Sequence, residues 1–129
     1  MVMSAGLDLI VTRHPATAAW LAQRLAPQQR RIVHLPHLEA GLLQRPHWQG
    51  RRVDWAAVRF FGIFPPWLAA EVCGQGAECW VPDLQVPHQC RGGELSNGQI
   101  QRLNPALTRY RVIALDRMES IQVSPHNEP

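Results

Sequence analysis

Two short apolar runs in this chain each end at a proline that opens an amphipathic stretch, and this repeated hand-over constrains the fold more than any other feature. The first run, Leu7–Val11, breaks at Thr12-Arg13-His14-Pro15 into a helical pattern over residues 16–25. There Ala18, Leu21, Ala22 and Leu25 recur at i, i+3, i+4 and i+7, the spacing of one helix face turned to a sheet. The second run, residues 58–64, is apolar apart from Arg59 and Gly62, as a central strand covered on both faces should be. Pro65-Pro66 then opens a helix over residues 67–73, closed by Gly74 and Gly76. Proline suits such openings because its fixed φ matches the first helical turn and its missing N–H is unpaired there in any case. Further strands are expected at residues 31–35, 79–82 and 110–115, with a short helix over 96–103 and an irregular stretch over 36–54. Strands alternating with helices make an α/β fold with a mainly parallel sheet of about five strands flanked by helices.

A chain of 129 residues with 46% hydrophobic content supports one core, so a single domain over residues 1–117 is expected, followed by a polar, flexible tail over 118–129. Nothing approaches the ~18 apolar residues of a membrane span, and the start lacks the pattern of a signal peptide. A cytoplasmic protein is the expectation. Cys73, Cys79 and Cys90 form no CxxC pair and read as reduced thiols, with Cys73 on a helix face and Cys79 at a strand start. All thirteen cationic residues are arginine, which excludes a Schiff-base or P-loop lysine. The net charge of +3 favours anionic partners, but the arginines are scattered, so no direct DNA binding is expected.

In open parallel sheets, ligands bind beyond the carboxyl ends of the strands, where strand order reverses. That rule gathers three segments that are remote in sequence: residues 12–14, residues 62–66 and the loop 87–96. At the first, the opening turn of a helix offers unpaired N–H groups and the positive end of its dipole, a seat for phosphate. Thr12 or His14 caps or precedes that helix. Arg13 adds a planar fork for two phosphate oxygens, and His14 is the histidine suited to proton transfer near neutrality. A capped turn with a solvated arginine is the plainer alternative. In the third segment, Arg91 can reach an anion while Gly92 and Gly93 let backbone approach a ligand closely. Ser96 either contributes there or simply caps the next helix.

The remaining chemistry-bearing residues point to no other site. His34 and His37 share no helix face and are rejected as a zinc pair, and His47, His88 and His126 fall in loops or the tail. Asp8, Asp54, Glu71, Asp83 and Glu94 are widely separated, so no metal site and no cofactor are expected. Trp67 opens the second helix, and Trp20 sits on the first helix away from its core stripe; either can stack a base if exposed. Trp48, Trp55 and Trp80 are assigned to packing.

These segments together resemble the small Csx-sixteen family of CRISPR-associated proteins, which accompany type III systems. The likeness is carried by Val11-Thr12-Arg13-His14-Pro15, Ala19-Trp20-Leu21, Gly62-Ile63-Phe64-Pro65 leading into Leu68-Ala69-Ala70-Glu71-Val72-Cys73, Gly76-Ala77, and Arg91-Gly92-Gly93-Glu94-Leu95-Ser96. It runs from about residue 7 to 115. Two departures stand out: residues 36–54 are longer than the family's short turn, and Phe64-Pro65-Pro66 stands where a leucine commonly precedes the proline. The resemblance implies a Rossmann-like (CARF-like) domain. It also implies a homodimeric ring nuclease that opens cyclic oligoadenylate, chiefly the four-membered ring, and switches off the effectors that this messenger activates.

Such a ring carries its own nucleophile, the ribose 2′-OH, so a protein need only align it and stabilise the phosphoryl oxygens without a metal. On this expectation His14, Arg13 and, more weakly, Glu94 carry catalysis. Thr12, Arg13, Pro65, Trp67, Arg91, Gly92, Gly93 and Ser96 bind the ligand. Two other readings stand beside it. A module that binds the messenger without turnover uses the same residues. A histidine phosphatase also has Arg-His after its first strand, but there glycine follows the histidine and the domain is larger.

Overall fold

The computed structural model describes residues 6–83 and 96–118. The chain runs β1 (Leu7–Val11), α1 (Pro15–Leu25), β2 (Arg31–Leu35), β3 (His47–Trp48), β4 (Arg51–Arg52), β5 (Arg59–Gly62), α2 (Pro66–Gly74), β6 (Glu78–Asp83), α3 (Asn97–Leu103) and β7 (Ala106–Tyr110). Five strands form one sheet in the order β2-β1-β5-β6-β7. The first four are parallel, and β7 runs antiparallel to β6. This is the mainly parallel α/β sheet that the strand and helix alternation predicts, and its architecture is Rossmann-like.

Side chains alternate across β1 and so divide the core in two. Leu7, Leu9 and Val11 pack with Phe60 and with Ala69 and Val72 of α2, whereas Ile10 and Phe61 pack with Leu21 and Leu25 of α1. The two helices therefore cover opposite faces of the sheet. Burying a side chain such as Phe60 or Leu21 stabilises the fold by about 1.5 to 3 kcal/mol.

Three expectations are corrected. Trp20 is buried rather than exposed, at 6% accessibility, because α3 packs on α1 and Ile100 covers that side of the helix. The last strand lies at 106–110 rather than 110–115: β7 pairs from Ala106 opposite Asp83 to Tyr110 opposite Cys79, and beyond that point β6 has almost run out. The irregular stretch 36–54 contains a small hairpin, β3 and β4, turned by Gln49 and Gly50 at φ 51° and 73°. Positive φ at both central residues matches the twist of a tight hairpin. Trp48, Trp55 and Trp80 do pack, with ring centroids 6.1 Å apart for Trp48 and Trp55 and 6.2 Å apart for Phe61 and Trp80.

Asp8 is fully buried on the α1 side of β1. Arg59 grips its carboxylate with two bonds, at 2.8 and 2.6 Å, and Arg30 adds a third at 2.7 Å while also donating to the Leu7 carbonyl. The carboxylate hydrogen bond raises the Arg59 pKa above its usual value. This cluster lies at the amino-terminal end of β1, away from the predicted ligand edge, and its work is to lock β5 and the start of β2 onto β1. Asp8→Ala would leave two arginines facing a buried gap, and removing one partner of such a pair costs about 3 to 5 kcal/mol. Because Arg30 and Arg59 keep 24% and 16% side-chain exposure, water relieves part of the loss and the lower end is expected. A chemical denaturation curve compared with the wild type checks this.

Candidate ligand crevice at the carboxyl edge of the sheet

From β1 the chain passes through α1 to β2 on one side, and it later returns to place β5 on the other side of β1. Strand order therefore reverses between β1 and β5. Val11 and Gly62 are direct partners at the ends of these strands, so residues 12–15 and 62–66 leave the sheet side by side. The helices they open diverge to opposite faces, which leaves a crevice between the two helix starts.

Local chemistry shapes each wall. His14 is the N-cap of α1 in an extended conformation, with φ −98° and ψ 109°, and Pro15 occupies the first helical position. The Thr12 hydroxyl accepts the His14 N–H at 3.1 Å, and Thr12 N–H donates to the Leu35 carbonyl at 3.1 Å. Both Thr12 and His14 thus define the turn, as the sequence reading allowed, while Arg13 and His14 are exposed. On the other wall Pro65 caps α2, with its carbonyl accepting from Leu68 and Ala69 at 3.0 Å. Trp67 in the first turn is 66% exposed.

Gly62 allows the two walls to meet. Its φ is 157°, and a Cβ placed on it would collide with the Val11 carbonyl oxygen. Only glycine permits this approach of β5 to β1. In the sequence Gly62 is a break within the apolar run 58–64; its steric role becomes visible only once Val11 is known to be its partner. Nothing in the sequence marks His34 for this turn either. Its Nε2 lies 2.8 Å from the Thr12 carbonyl oxygen, so a residue rejected as a zinc ligand braces the turn that holds Arg13.

Ser96 caps α3 in a reciprocal box: its hydroxyl accepts from Gln99 N–H at 3.2 Å, and the Gln99 side chain accepts from Ser96 N–H at 2.8 Å. Arg91, Gly92, Gly93 and Glu94 lie outside the described residues, as do Cys90, His88 and the tail beyond residue 118. Among the described residues no group of three or more His, Cys, Asp or Glu could hold a metal ion. No helix among them is long and apolar enough to cross a membrane. Cys79 is buried, and that burial pushes its thiol pKa up to about 11, which suits a packed core residue rather than a nucleophile. A separate cavity of about 360 Å³ opens at the opposite edge of the sheet, lined by Cys73, Gly76, Ala77, Arg109, Tyr110 and Arg111.

A family model described as "Putative CRISPR-associated protein (Cas_VVA1548)" matches residues 9–113. The chain belongs to this CRISPR-associated family. The matched span begins within β1 and ends just past β7, so it takes in part or all of every strand of the five-stranded sheet and both walls of the crevice. No curated protein and no solved structure matches the chain.

Proposed function

We propose that this CRISPR-associated chain is a ring nuclease of the Csx-sixteen type, which binds cyclic oligoadenylate, chiefly cyclic tetra-adenylate, and opens it without a metal. The observation that supports the reading is the Val11 to Gly62 pairing, from which the segment with the exposed Arg13 and His14 and the segment leading to Pro65 and the exposed Trp67 leave neighbouring strand ends. The resemblance of the Thr12-Arg13-His14-Pro15 and Arg91-Gly92-Gly93-Glu94 segments to that family supplies the substrate class.

In the proposed reaction the ribose 2′-oxygen attacks the adjacent phosphorus, the bond from phosphorus to the 5′-oxygen breaks, and the 2′ proton ends on the leaving 5′-oxygen. The products carry a 2′,3′-cyclic phosphate and a 5′-OH. Arg13 and the amides of its turn hold the phosphoryl oxygens, where charge-assisted bonds act most strongly. His14 moves the proton, with Glu94 as the weaker candidate. Trp67 stacks an adenine, a contact worth about 1 to 3 kcal/mol per base. By the resemblance, Arg91, Gly92, Gly93 and Ser96 also belong to the ligand-binding set. A ring of four nucleotides has two-fold symmetry, so a homodimer presents every motif twice and grips the whole ligand.

Incubating pure protein with cyclic tri-, tetra- and hexa-adenylate in excess EDTA, and resolving products by chromatography and mass, tests this. The tetra-adenylate ring should be converted to linear species ending in cyclic phosphate, at a rate that EDTA leaves unchanged. Rings bound but intact would instead identify a sequestering module, and activity abolished by EDTA would refute the metal-free route.

A further inference from the structure

We infer that His34 is a positioning residue that aims the Arg13 amide into the crevice between β1 and β5. His34 lies on the edge strand β2, in register with Ile10, and its Nε2 is 2.8 Å from the Thr12 carbonyl oxygen. A carbonyl only accepts, so Nε2 carries the proton and donates. Thr12 N–H meanwhile donates to Leu35, also on β2. Both backbone groups of Thr12 are therefore turned toward β2.

There are no cis peptide bonds among the described residues, and a trans peptide is planar, with its N–H antiparallel to its C=O. The Arg13 N–H consequently points away from β2, to the side of β1 on which β5 lies. Without the His34 bond, the peptide between Thr12 and Arg13 is free to rotate. Its carbonyl would then turn toward the crevice and present partial negative charge where a phosphate is to sit. His34 touches no ligand in this arrangement; it acts through the turn. The inference rests on the phosphate-binding role proposed above for that turn, and it adds the residue that sets the direction of the donor.

The test compares the wild type with His34→Ala and His34→Gln, the second of which keeps an N–H donor at a similar reach. In the ligand-free protein, the Arg13 amide is followed by NMR during titration with inorganic phosphate. The wild-type signal should shift, the shift should fall at least about threefold in His34→Ala, and His34→Gln should restore it. With cyclic tetra-adenylate, whose phosphate the same amide holds before and during the reaction, kcat/KM should fall about tenfold in His34→Ala with KM raised at least about threefold. His34→Gln should recover most of that rate. An unchanged Arg13 response in His34→Ala, or a glutamine variant as impaired as the alanine variant, would overturn the inference. If the wild type opens no ring, the proposed function fails while the phosphate titration still decides the role of His34.

Discussion

Gly62→Ala is expected to destabilise the fold by about 2 to 6 kcal/mol, combining the cost of overpacking with that of a residue forced into glycine-only backbone geometry. The added methyl group would meet the Val11 carbonyl oxygen, which is backbone and cannot swing aside. Relief requires β1 and β5 to part at the pair that brings the two crevice walls together. Since a domain of this size is stable by only about 5 to 15 kcal/mol, the melting temperature should drop by roughly 10 °C or more. Gly41→Ala is the control: its φ is also positive, at 78°, but nothing lies within 4 Å of the added carbon. A thermal melt followed by circular dichroism separates the two. Equal, small shifts for both variants would show that β5 does not approach β1 as closely as described.

Arg13→Ala and His14→Ala are expected to differ in kind. In the proposed reaction Arg13 holds the phosphate by a charge-assisted hydrogen bond in both the bound and the reacting ring, worth about 1.5 to 3 kcal/mol, so its loss should weaken binding by roughly 10- to 100-fold and slow cleavage as well. In that proposal His14 moves a proton only as the bond breaks. Its replacement should leave the dissociation constant within about twofold and lower kcat on the order of 100-fold, the usual scale of general acid–base catalysis. Isothermal titration and single-turnover cleavage of cyclic tetra-adenylate measure the two effects separately. Cleavage at an unchanged rate by the His14→Ala variant would remove that histidine from the mechanism and leave positioning as the main source of rate.

The elements that carry the crevice were legible because their signals are local. A proline after a short apolar run marks a strand passing into a helix, and this reading located β1, α1, β5 and α2 close to their observed bounds. Features set by partners remote in sequence were not legible. Trp20 looks exposed on a helix considered alone and is buried only because α3 lies across it. Where β7 ends depends on where β6 begins, which the apolar residues near Ile113 do not reveal. Asp8 sits in an otherwise apolar strand with nothing nearby in sequence to announce Arg30 and Arg59 as its partners. The same holds at the candidate site: Arg13 and His14 stand out by their place after β1, whereas the role inferred for His34 depends on the register of β2 on β1.

The central claim is that residues 12–16 and 62–67 hold one cyclic oligoadenylate together. Titrating isotope-labelled protein with cyclic tetra-adenylate and following backbone amides by NMR tests it most directly. Both segments should shift in the same concentration range and saturate at one ring per two chains. Shifts confined to the opposite edge of the sheet, around Cys73 and Arg109, with residues 12–16 and 62–67 unmoved, would contradict it.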